Sequence, residues 1–176
     1  MCAWLMALVF ILSAVETRAE PMPTALRGKS LVLSWTRDFT LKILSGKRAG
    51  QIISSVSPLS IKLYVSLQGR IFSSYERRDW GASEQVSGSG ENILHWRFEG
   101  GTLLADEAEV RGVRRVTAGS TDGFRTCSMN VIYGKEGGTA SVIFQGTDNN
   151  EYELIDKKII TTSCSTQQGN IFGSPQ

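Results

Sequence analysis

The side chains able to do chemistry in this 176-residue chain are few and scattered. Its one histidine, His95, stands in Ile93-Leu94-His95-Trp96-Arg97-Phe98. Period two there puts Leu94, Trp96 and Phe98 on one face of a strand and His95 on the other, beside Ile93 and Arg97. A lone histidine on an outer face reads as solvated rather than catalytic. A Ser-His-Asp arrangement would need it to meet a serine and an acid such as Asp79 or Asp106, and no Gly-x-Ser-x-Gly elbow marks a nucleophile. With one histidine and no ligand-like spacing of carboxylates, no metal is expected, and no cofactor motif stands out. Gly134-Lys135-Glu136-Gly137-Gly138 lacks phosphate-loop spacing and reads as a hairpin turn. Asp148-Asn149-Asn150-Glu151 lacks the alternating ligands of a calcium loop and reads as another turn. Asp106, Glu107 and Glu109 are close in sequence, but that is no spacing across a cleft, so they read as a solvated face rather than a glycosidase pair.

Aromatic and arginine side chains are the better material for recognition. Tyr64 falls on the polar face of its strand, and Trp80 follows Glu76-Arg77-Arg78-Asp79 at the border of a Gly/Ser-rich stretch. Exposed aromatics beside arginines anchor glycans or protein partners, so Tyr64, Arg77, Arg78, Trp80 and His95 are the candidate binding residues. Trp35 and Trp96 are expected in the core.

The elements that must position these groups are short strands. Leu59 to Leu67 alternates without exception, with aliphatic residues at every odd position. Leu31, Leu33 and Trp35 share that phase with Phe39, Leu41 and Ile43, with a break or bend expected at Arg37-Asp38. Further alternation covers Leu94 to Phe98, Cys127 to Tyr133 and Ala140 to Phe144. Tyr152 and Leu154 begin another strand, and Lys157 to Cys164 reads as the last. Gln68-Gly69, Gly100-Gly101 and Thr147 to Asn150 supply tight turns. Gly46 to Gly50 and Gly81 to Gly90 read as longer, mobile loops. Leu103 to Arg115 mixes helix formers with a central Gly112, and a strand or irregular edge is favoured there over one short helix. The expected fold is therefore all-β: an antiparallel meander forming either a barrel or a two-sheet sandwich, with that short helix as a variant.

The first residues set the compartment. Ala3 to Val15 is an apolar run shorter than a bilayer span, followed by Thr17-Arg18-Ala19 and Glu20-Pro21-Met22-Pro23. Residues 1–19 read as a secretory signal peptide and 20–176 as a single β-rich domain. No stable membrane insertion is expected after cleavage. The chain carries 19 Lys and Arg against 17 Asp and Glu, a net charge of +2, and the signal would remove one of each, Arg18 and Glu16. Charges of both signs are interleaved, which argues against a nucleic-acid partner. Cys2 leaves with the signal, and Cys127 and Cys164 are expected to form one disulfide in an oxidising compartment rather than a reactive thiol site.

Phe124 to Gly138 (FRTCSMNVIYGKEGG) together with Cys164 to Phe172 (CSTQQGNIF) resembles uncharacterised exported proteins of alphaproteobacteria, and the chain has no Asn-x-Ser/Thr sequon. The resemblance implies a bacterial periplasmic or extracellular location and no activity. Together these readings favour an exported, soluble, non-catalytic binding or envelope-associated module for a small ligand, glycan or protein. The alternatives are a secreted hydrolase with an unrecognised site and an inhibitor of an exported enzyme.

Overall fold

The structure is a computed structural model that describes residues 20–78, 85–91, 94–109, 112–133, 142–146 and 148–173. Residues 1–19, expected as a signal peptide, Asp79 and Trp80, and Gly134 to Gly138, expected as a hairpin turn, lie outside them.

Among the described residues ten strands form two antiparallel sheets, a sandwich rather than a closed barrel. The first sheet has six strands in the order β4-β3-β2-β1-β10-β9. These are β1 (Lys29–Ile43), β2 (Ile52–Val65), β3 (Ile71–Arg78), β4 (Gln85–Glu91), β9 (Val142–Gln145) and β10 (Glu151–Gln168). The second is a four-stranded meander of β5 (Arg97–Glu99), β6 (Thr102–Glu109), β7 (Gly112–Gly119) and β8 (Ser128–Tyr133). A single 3-10 turn at Thr24–Leu26 precedes them and buries Leu26.

The alternation read from the sequence is the packing pattern. Leu31, Leu33 and Trp35 of β1 and Leu59, Ile61, Leu63 and Val65 of β2 are buried against Leu103, Ala105, Val116, Ala118 and Val131 of the facing sheet. Burying each leucine or isoleucine fully contributes about 1.5–3 kcal/mol. The described residues of the 103–115 stretch belong to a strand pair, β6 and β7, whose register joins Leu103 to Ala118 and Ala105 to Val116. The helix formers there are overridden because their apolar side chains must face the first sheet on a two-residue period. At the β5–β6 turn Gly100 and Gly101 both have positive φ, 57° and 79°, while Glu99 pairs with Thr102. That is the two-residue hairpin geometry which needs glycine at both central positions.

Several expectations are corrected. The Gly/Ser-rich stretch expected as a mobile loop supplies β4, because alternating serines and glycines still offer backbone donors and acceptors to β3. Arg37-Asp38 is no break: β1 pairs with β2 without interruption from Lys29 to Lys42, and the irregularity is a register shift against β10 between Thr36 and Arg37. A second shift lies between Thr40 and Leu41. Tyr152-Leu154 and Lys157-Cys164, expected as two strands, are parts of one 18-residue strand. Ile155 and Ile160 have no residue opposite them on β1 and are each 50% exposed, as bulge residues are. Each bulge inverts the inward phase of β10.

The second apolar cluster, Leu41, Ile43 and Tyr152 with Phe39, Ile53 and Leu154 packed on it, closes the far end of the large sheet. Its turn is tightly built. The Tyr152 hydroxyl donates to Asp148 Oδ2 at 2.6 Å, which pushes the phenol pKa up. A Cβ on Gly146 would lie 2.5 Å from Tyr152 Cε2 and 2.8 Å from Asp148 Oδ1. Gly146→Ala is therefore expected to cost roughly 1–3 kcal/mol, the usual penalty of overpacking. A urea midpoint equal to wild type would refute this close approach.

Candidate functional site

The disulfide sets the frame of the sandwich. Cys127, just before β8, is bonded to Cys164 inside β10, with Cα atoms 5.6 Å apart. It joins one sheet to the other, and Cys164 lies within its strand rather than at its end. The loop leading to it is ordered by Asp122. Ser120 Oγ, the amides of Arg125 and Thr126, and Thr126 Oγ1 all donate to that carboxylate. The Ser120 hydroxyl and the Thr126 amide hold its pKa well below the usual aspartate range. The loop's stability contribution is thus complete above the ordinary aspartate pKa, and it is lost only as pH falls through the lower, folded value. Hydrogen exchange at the Arg125 and Thr126 amides should stay protected at pH 4. Loss of protection already at pH 5 would contradict this arrangement.

The candidate binding residues are not brought together. Tyr64 lies on β2, half-buried, and stacks on Phe72 of β3 with ring centroids 6.2 Å apart. The Arg70 guanidinium sits 5.8 Å from the Phe72 ring and is ion-paired with Glu91. Arg77 and Arg78 are at the opposite end of β3, paired with Val86 and Gln85. Trp80 lies outside the described residues. His95 is exposed, but not on a strand face. It lies in the connection from β4 to β5 with φ 53°, a left-handed conformation that histidine tolerates better than most residues. Asp106 is held by Arg115 (2.6 Å) and Arg97 (2.9 Å), which lower its pKa. It serves an ion-pair cluster on the four-stranded sheet. Trp35 and Trp96 are in the core, as expected.

A different constellation lies between the sheets, where the inward phase of β1 and β2 turns from aliphatic to polar. Arg37 and Arg114 are only 2% and 1% exposed. Arg37 places its guanidinium carbon 4.4 Å from the Phe39 ring centroid, and Arg114 lies 5.1 Å from that of Trp35. Lys157 of β10 has its Nζ 3.6 Å from the Tyr133 ring centroid and 5.8 Å from that of Phe39. Trp35 Nε1 donates to the Tyr133 hydroxyl at 3.4 Å. Arg37, Phe39, Lys157, Tyr133, Trp35 and Arg114 thus form one connected chain of cations and rings across both sheets. Cation–π contacts contribute from about 0.5 kcal/mol where solvated to about 2 kcal/mol where desolvated.

Register explains the convergence. Phe39 pairs with Ser55 on one side and Lys157 on the other, and Arg37 pairs with Ser57 and Ile159. Arg114 pairs in the backbone ladder with Glu107 and Tyr133. All three cations make further interactions, so none is a bare charge. Ser55 differs: its Oγ is buried, in a residue 4% exposed, and has no hydrogen-bond partner. Leaving a hydroxyl so costs about 1–3 kcal/mol. The signal for this layer was present in the sequence as polar residues in the apolar phase: Arg37 between Trp35 and Phe39, and Ser55 and Ser57 ahead of Leu59.

Among the described side chains, this layer presents no paired nucleophile and base. Compared with known proteins, the chain matches no family model, no curated protein and no solved structure.

Proposed function

We propose that this chain is an exported, non-catalytic binding module acting in a bacterial periplasm or outside the cell. Support for export comes from the apolar leader followed by a small-residue cleavage pattern and from the inter-sheet disulfide. Among the described residues no helix is long and apolar enough to cross a membrane. The observation that carries the binding reading is the cation–ring chain from Arg37 to Arg114. Buried charge is costly, and aliphatic side chains would fill the same space with less desolvation, so such a layer points to a task beyond packing.

Native mass spectrometry of the protein purified from its own host compartment, before and after denaturation, tests this. A co-purifying small molecule or a stoichiometric protein partner is the expected result. A bare chain under both conditions would overturn the reading.

A further inference from the structure

We infer that the outer edge of β10 over residues 161–168 is a self-association surface, on which a second copy of this chain lays its own β10 antiparallel. The inference goes beyond the binding reading above and does not depend on it.

Four observations converge. On one side β10 pairs with β1 along its length, but on the other β9 covers only Glu151 to Leu154, so among the described residues no strand is hydrogen-bonded to the outer edge of residues 161–168. β8, of the other sheet, is tied to β10 by the cystine and is not one of its hydrogen-bonded neighbours. Such an edge carries a row of backbone N–H and C=O groups, a template for one more strand. Second, the strand is open on both faces there. Outward-facing Ser163 and Ser165 are exposed while their partners on β1, Ser34 and Val32, are half-buried, and inward-facing Thr162 is exposed as well. Third, the usual guards of an edge, which are lysines, prolines and bulges, are missing from this segment. Both bulges of β10 precede it, its register against β1 is regular throughout, and the last charged residue of the chain is Lys158. Finally, the segment suits itself. Antiparallel pairing centred on Ser165 keeps the outer faces of both copies on one side, sets Ser163 against Gln167 of the second copy and opposes no like charges. A strand rich in charge would find no counter-charge on this edge. One strand laid on another is a smaller contact than a standard interface, so the association is reversible.

Sedimentation velocity of the folded, disulfide-bonded protein, from micromolar to millimolar concentration, tests the inference together with hydrogen exchange at both ends of that range. The mass should rise from one chain to two, and amides within residues 161–168 should gain protection at the higher concentration. Ser163→Lys with Ser165→Lys puts like charges across the junction and should raise the dimer dissociation constant at least about tenfold. Ser54→Lys, on the same outer face but inside the sheet on β2, should leave it unchanged. Circular dichroism and a thiol count of zero would establish that each variant is folded. A single chain at every concentration, an undiminished dimer in the folded double variant, or equal weakening by Ser54→Lys would each overturn the inference. Protection of these amides by a different protein and not by concentration would overturn it too, and would make the edge a site for a foreign strand.

Discussion

Cys127→Ser is expected to lower the free energy of unfolding by roughly 2–5 kcal/mol, measured by urea denaturation against the disulfide-bonded wild type. The bond closes a loop with a sequence separation of 37 residues, and its removal frees the unfolded chain to explore conformations that the native bond forbids. Its placement adds a second reason for a large effect. β8 and β10 belong to different sheets, so the disulfide is a covalent tie across the sandwich, and both cysteines pack against the larger core. The loop before it is ordered by Asp122, and Lys29 Nζ donates to the carbonyls of Gly123 and Phe124, both at 2.9 Å. The cystine half is therefore held in place on either side. A loss below 1 kcal/mol would mean that packing alone sets the sheet separation. Two free thiols per native chain would overturn the bond itself.

Trp35→Ala is expected to cost about 3–5 kcal/mol, the range for removing a fully buried aromatic side chain. Trp35 is 2% exposed at the centre of the larger core, between Leu33 and Arg37 along β1. Its indole also carries the Arg114 guanidinium and donates to Tyr133, so truncation removes the ring that one buried cation faces. Trp35→Phe separates these contributions, since it keeps an aromatic face and much of the volume but loses the indole N–H. It should cost less than half as much. If Trp35→Phe were as damaging as Trp35→Ala, the hydrogen bond to Tyr133, at 3.4 Å, would outweigh the packing.

Much of the fold was legible because period two is a local property. Leu59, Ile61, Leu63 and Val65 announce a buried face whatever lies opposite, and Gly100-Gly101 specifies a hairpin through the positive φ that only glycine adopts freely. The disulfide was legible from the pair of cysteines beyond residue 19 and the expected oxidising compartment. What misled was breakage of the period. β10 read as two strands because the bulges at Ile155 and Ile160 reverse its inward phase twice, and a bulge is set by how β10 lies on β1, not by its own residues. Likewise β4, with its glycines and serines, has little strand propensity of its own and is a strand because β3 offers it an edge.

The binding candidates show the same division. Exposed aromatics and arginines were sought by their neighbours in sequence, and that placed Tyr64 with Arg77, Arg78 and Trp80. Strand pairing gave Tyr64 the side chain of Phe72 instead and left Arg77 and Arg78 at the other end of β3. By itself the sequence determined an all-β chain with alternating buried faces, a cystine and no local catalytic signature, since each of these depends on residue type or short-range periodicity. Tertiary structure alone decided for a sandwich over a barrel and assembled Arg37, Phe39, Lys157, Tyr133, Trp35 and Arg114 into one layer. Those six residues come from four strands on two sheets, and only register and sheet packing bring together side chains more than a hundred residues apart.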